Sequence, residues 1–205
     1  LSGGQRQRVA MLRMLAAKPE CILLDEPFSA LDEHVKRSME SELMEMLTDF
    51  HNAVIFVSHN RDEVYRLAER IGSIERGVLS TVRDKKDFFM RPMSVEQALL
   101  VGCNNISEVK WQDKHHLLAV EWDSVFEVTD EQLEQTATDM DDISHIGVFP
   151  QDIIISAGKS KTALAYNDKN IIRIKDYKMI EELKNWEVSC KLNNDSIIYA
   201  SLPKH

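Results

Sequence analysis

Long apolar runs are absent from this 205-residue sequence. None approaches the roughly 18 residues needed to span a bilayer, so any membrane role has to come through a partner. No apolar leader opens the chain: Leu1 runs into glycines and arginines and, not being Met, reads as a cut in a longer gene product. Cysteine is scarce. Cys21, Cys103 and Cys190 are widely spaced and odd in number, which excludes a fully paired disulfide framework or a CxxC metal site and predicts reduced thiols. Basic charge is also short: 25 Lys and Arg stand against 34 Asp and Glu, a net charge of -9 that argues against nucleic acid as a partner. No Lys or Arg occurs between His115 and Gly158, so the acidic excess lies mainly in the second half.

What is present suffices for a core, since 43% of the residues are hydrophobic. Residues 5–17 predict a helix, with Val9, Leu12 and Ala16 and then Met11 and Leu15 at three- and four-residue spacings, ended by Pro19. Cys21-Ile22-Leu23-Leu24 and Ala53-Val54-Ile55-Phe56-Val57 read as buried parallel strands. Helices are predicted over 33–50, with Asp32 as N-cap, and over 61–70. Strand, helix, strand, helix implies α/β architecture with a parallel sheet covered on both faces, although only half a domain's worth of strands is present. From Gly72 a hairpin turning at Arg76-Gly77 and two short helices follow. Beyond Gly102 the pattern becomes short strands, at 117–122, 125–128, 146–149, 153–156, 171–174, 186–192 and 197–202, a small β-rich domain. The expected division is therefore 1–101 and 102–205.

Four short stretches carry chemistry. In Ser2-Gly3-Gly4-Gln5, the glycines admit a close backbone approach and the following helix directs free N–H groups and its positive end at an anion; alone, such a turn is more often a structural cap. Ile22-Leu23-Leu24-Asp25-Glu26-Pro27 places two carboxylates at the C-terminal end of a strand, where α/β sheets bind ligands. Asp25 suits a Mg²⁺ shell, and Glu26, pointing the other way, suits orienting a water for attack on phosphate; two solvated acids at a strand end is the plain alternative. Ser29-Ala30-Leu31-Asp32 by itself is a helix start. His59 follows the second strand, level with Glu26, and could reach a phosphate. The pair His115-His116 makes a poor metal site, because neighbouring residues on a strand face opposite ways.

Together, in this order and spacing, Leu1-Ser2-Gly3-Gly4-Gln5, Leu23-Leu24-Asp25-Glu26-Pro27, Ser29-Ala30-Leu31-Asp32 and Ser58-His59 resemble the ABC transporter ATPase family. The resemblance covers residues 1–90 or so and implies two ATPase subunits closing head to tail on ATP and Mg²⁺. By it, Ser2, Gly3 and Gly4 contact the γ-phosphate of ATP held by a second subunit, with Gln5 nearby. Asp25 is the magnesium residue, Glu26 the catalytic base, Asp32 the link across the dimer and His59 the switch. The family's G-x-x-x-x-G-K-[ST] phosphate loop has no counterpart here; Gly158-Lys159-Ser160 lacks the glycine spacing and the strand-to-helix context. The chain alone is therefore expected neither to bind nor to hydrolyse ATP.

Gly102-Cys103-Asn104-Asn105-Ile106 and Ile146-Gly147-Val148-Phe149-Pro150-Gln151-Asp152-Ile153 resemble the TOBE-type regulatory domain of bacterial oxyanion importers, with Phe149 where that family usually has Arg. The combination looks most like molybdate importer subunits. It implies permease and substrate-binding-protein partners and a place on the cytoplasmic face of the bacterial plasma membrane. The alternative is a non-hydrolytic remnant, or a ligand-sensing module paired with a complete ATPase. A soluble ABC protein of DNA repair or translation is disfavoured by the acidic balance.

Overall fold

The computed structural model describes residues 3–136, 140–156 and 170–204. Ser2 and Gly158-Lys159-Ser160 lie outside the described residues. The chain divides into two compact units, Leu1–Met90 and Arg91–His205.

In the first unit, α1 (Gly3–Ala16), β1 (Cys21–Asp25), α2 (Glu33–Leu47), β2 (Ala53–Val57) and α3 (Arg61–Leu67) alternate. β1 and β2 pair in parallel, Cys21 opposite Ala53 through to Asp25 opposite Val57. The core gathers Met11 of α1, Ile22 and Leu24 of β1, Phe28, and Met39 and Leu43 of α2. This corrects the expectation of strands buried on both faces. β1 alternates buried and exposed, Leu23 is 67% exposed, and Ile55 on β2 is 53% exposed. The helices cover one face of a two-stranded sheet, and the side chains of the other face meet solvent. Val9 and Leu12 of α1 are likewise exposed, while Met11 is buried.

Short antiparallel pairs complete the unit: β3 (Arg70–Ile71) with β6 (Arg83–Asp84), and β4 (Ile74–Glu75) with β5 (Val78–Leu79), before α4 (Lys85–Met90). The β4–β5 turn takes positive φ at both central residues, Arg76 (50°) and Gly77 (83°), the sense of bend that suits the twist of a two-residue hairpin.

The second unit starts with α5 (Val95–Val101), capped by the Ser94 hydroxyl accepting the Gln97 N–H and closed by Gly102 in the left-handed region at φ 94°. Then come β7 (Asn105–Trp111), β8 (His116–Ala119), β9 (Ser124–Glu127), α6 (Asp130–Thr136), β10 (His145–Val148), β11 (Ile174–Glu181), β12 (Asn185–Leu192) and β13 (Ile197–Pro203). Two antiparallel sheets result, ordered β10-β7-β8-β9 and β11-β12-β13. Leu117, Ala119, Trp122 and Phe126 from the first pack with Leu192 and Ile198 from the second in one core. Asn105, buried on β7, joins the sheets. Its amide nitrogen donates to the carbonyls of Val148 (3.0 Å) and Tyr199 (2.8 Å), and its oxygen accepts the Tyr199 N–H (2.7 Å). The strands expected at 153–156 and 171–174 do not form: irregular chain follows a 3-10 turn (Pro150–Asp152) at the first, and at the second a strand begins only at Ile174. Thus β7, α6 and nearly all of β11 arise where none was expected.

Candidate active site

Parallel pairing puts the ends of β1 and β2 side by side, and both carry site residues. β1 ends at Asp25, whose side chain is exposed. At Glu26 the backbone enters the left-handed region (φ 44°), so the chain turns sharply while the Glu26 N–H still reaches the Val57 carbonyl at 2.9 Å. The turn is fixed from both sides: the Ser29 hydroxyl donates to the Glu26 carbonyl at 3.0 Å, and Phe28, 0% exposed, plugs the core against Phe56. One carboxylate oxygen of Glu26 accepts two bonds from His59, from the backbone N–H at 2.8 Å and from ring Nδ1 at 2.6 Å. The His59 hydrogen bond is the main influence holding the Glu26 carboxyl below the ordinary glutamate range, burial opposing it and the Lys36 charge adding a little. Glu26 is therefore ionised and an acceptor at neutral pH. With Nδ1 turned to Glu26, Nε2 of the exposed His59 ring points to no described partner; it is an acceptor in the neutral ring and a donor in the protonated one.

The turn that presents His59 is held by Ser58 beside it and by Asn60 and Glu63, two residues that the sequence did not mark out. The Ser58 hydroxyl donates to Glu63 Oε2 at 2.7 Å and accepts the Asn60 N–H at 3.0 Å. Asn60 caps α3, its side-chain oxygen accepting the N–H groups of Asp62 and Glu63. Glu63, 2% exposed, also pairs with the buried Lys36 of α2. One turn on from Lys36 along α2, Glu40 takes a two-pronged bond from Arg66, 2.8 Å on each arm. Asn60-x-x-Glu63 has the spacing of a capping box, and that was the available signal; here the glutamate reaches the Asn60 N–H through Ser58.

Asp32 stands at the N-cap of α2, but its side chain accepts no capping hydrogen bond; the Lys36 N–H goes to its backbone carbonyl at 2.9 Å. The exposed carboxylate is thus uncommitted to its own helix. Gly3 and Gly4 form the first turn of α1 rather than a lead-in to it, so their N–H groups are among those without an intrahelical partner, and no acidic residue opposes an anion in that turn. Gln5 next to them is exposed. The residues brought into contact are Glu26 and His59, with Asp25 adjoining.

The family model described as ABC transporter matches residues 1–29. Among curated relatives, the Fe(3+) ions import ATP-binding protein FbpC of Haemophilus influenzae is 44% identical over 102 residues, 50% of this chain and 29% of that protein. The molybdate/tungstate import ATP-binding protein WtpC of Pyrococcus horikoshii is 42% identical over 108 residues, 53% of this chain and 31% of its own length. The sulfate/thiosulfate import ATP-binding protein CysA of Thermosynechococcus vestitus is 30% identical over 197 residues, 95% of this chain and 48% of that protein. The class these matches point to is the ATP-binding subunits of ABC transporters, to which the chain is similar. This chain carries sequence of that family, is similar to import ATP-binding proteins in particular, and spans less than half the length of these relatives.

Proposed function

We propose that the chain serves an ABC importer as an ATP-binding and ATP-hydrolysing component. The observation that carries this reading is the Glu26–His59 contact at the C-terminal ends of a parallel strand pair, beside the exposed carboxylate of Asp25. Magnesium is commonly held by one or two carboxylates, with phosphate and water completing the shell, so a single exposed Asp25 fits it; bound there, the ion would neutralise charge on the phosphates. Glu26, kept ionised, orients and polarises the attacking water, a role that needs an acceptor more than a strong base. His59 offers Nε2 to the γ-phosphate. Ser2, Gly3, Gly4 and Gln5 serve the ATP held by a second ATPase subunit, and Asp32 meets that subunit across the dimer.

Permease subunits and a substrate-binding protein complete the assembly, with the ATPase peripheral to the membrane; no helix among the described residues is long and apolar enough to cross one. Residues 102–205 act as a TOBE-type regulatory domain. For the solute, molybdate or a related oxyanion fits the resemblance of that domain, and two of the three relatives named above are import proteins for oxyanions. The test is ATP turnover by the assembled transporter. Glu26→Gln should abolish it, with molybdate and sulfate uptake measured alongside. Turnover unchanged in that variant would sink the assignment of Glu26, and uptake of neither anion would sink the solute.

A further inference from the structure

The two sheets of the second unit treat their edges unequally. At β9, Asn170 imitates a neighbouring strand: its side-chain oxygen accepts the Glu127 N–H (2.7 Å) and its amide donates to the Glu127 carbonyl (3.0 Å). At β13, Asn105 does the same for Tyr199. β11 is the other edge of the three-stranded sheet and, among the described residues, pairs only with β12. All eight of its residues are exposed. A long edge of that kind is a template for another strand.

Its side chains deepen the contrast. Tyr177 and Met179 lie opposite Cys190 and Val188, and Ile174 opposite Leu192. They therefore share the sheet face that buries those three residues, yet remain exposed themselves. Lys175 is the extra residue of a bulge between Ile174 and Asp176. Asp176, Lys178 and Ile180 occupy the opposite face.

We infer that β11 is a self-association edge, pairing antiparallel with β11 of a second copy of this chain about a two-fold axis through Tyr177. The backbone selects the register. The Tyr177 N–H is turned to Asp176 Oδ1 at 2.8 Å, which places Tyr177 among the residues whose backbone groups face away from β12. Outward residues can pair only with outward residues, so near the middle of the strand the two-fold falls on Asp176, Tyr177, Lys178 or Met179. On Met179 it sets Lys178 opposite Ile180 and Tyr177 opposite Glu181, with no ion pair formed. On Asp176 or Lys178 it sets like charges face to face. On Tyr177 it sets Asp176 opposite Lys178 of the second copy, twice by symmetry, and tyrosine beside tyrosine. The bulge at Lys175 then brings Met179 opposite Ile174 of the copy, completing an apolar stripe on the face left uncovered. Asp176 gives up the Tyr177 N–H for a lysine, and that N–H takes a carbonyl of the copy. This contact uses no nucleotide and does not depend on the ATPase reading.

The test is sedimentation equilibrium of the full 205-residue chain without nucleotide. A reversible monomer–dimer equilibrium is expected. Lys178→Glu and Asp176→Lys should each weaken it by about tenfold or more, because each sets two like-charge pairs opposite one another. Asp176→Lys combined with Lys178→Glu should restore it. Both positions are exposed, so unchanged circular dichroism is expected in all three variants. A monomer at every concentration, single variants within about twofold of the parent, or a double variant that stays weak would each overturn the proposal.

Discussion

Two donors of His59, its backbone N–H and ring Nδ1, converge on a single oxygen of Glu26 at 2.8 and 2.6 Å. A glutamate whose folded pKa is lowered contributes stability above its unfolded pKa, and that contribution is lost as pH falls through the folded value. The window is therefore the acid side of the ordinary glutamate range. Carbon-detected NMR titration of Glu26 should show a midpoint below that of an exposed glutamate. His59→Ala should move it upward, since the His59 hydrogen bond is the largest cause. A Glu26 midpoint at or above the ordinary value would contradict the bond as described.

The buried pair Lys36–Glu63 makes a second prediction. Lys36→Met leaves the Glu63 carboxylate buried without its counter-ion, which costs about 3–5 kcal/mol by the usual behaviour of such pairs. Combining it with Glu63→Gln, which keeps an acceptor for the Ser58 hydroxyl, should recover most of the loss. Urea unfolding of the single and double variants reads this directly. A Lys36→Met cost under about 1 kcal/mol would show the pair to be expendable.

Much of the first unit was legible because its strands are apolar runs between polar turns: β2 spans the five residues of its apolar run, and Asp25, Glu26 and His59 fall at the expected strand ends. Apolar content does not say whether both faces find cover, so the exposure of Leu23 and Ile55 was hidden. Ion pairing between α2 and α3 was hidden too, since Lys36 and Glu63 are far apart in sequence and each looks like a surface residue. β7 escaped for the opposite reason. Its buried positions include Asn105 and Ser107, which inverts the pattern expected of a strand, polar residues lying inside. α6 has Leu133 as its single large apolar residue.

Asn105 illustrates how a residue of the stretch that resembles a TOBE-type domain is spent on structure. All three of its hydrogen bonds go to backbone groups of Val148 and Tyr199, leaving no donor or acceptor obviously reserved for an anion. Asn105→Ala removes the three bonds and strands the Tyr199 N–H and carbonyl, at a cost of about 2–4 kcal/mol. Asn105→Asp should be no better, because a carboxylate would face two carbonyls. Thermal unfolding monitored by the fluorescence of Trp111, Trp122 and Trp186, all in the second unit, provides the measurement. An Asn105→Ala variant melting with the parent would refute the stitching role.

Cys103 permits a prediction about reactivity. Its thiol is buried, donates weakly to the Asn105 carbonyl at 3.8 Å, and is pushed up to about 11 by burial, with the Asp152 charge adding to the shift. Gly147 lies so close that a Cβ built there would come within 2.9 Å of the sulfur, which leaves no room for an adduct on that side. Cys190 is also buried and raised by burial, whereas Cys21 is exposed; all three are free. At about pH 8 an aromatic disulfide reagent should therefore modify one thiol per chain quickly, and the other two at the rate of unfolding. Cys21→Ser should eliminate the fast phase. Urea should release the remaining two thiols in step with loss of tryptophan signal. Fast labelling that survives Cys21→Ser would mean that the sheet over Cys103 or Cys190 opens without unfolding.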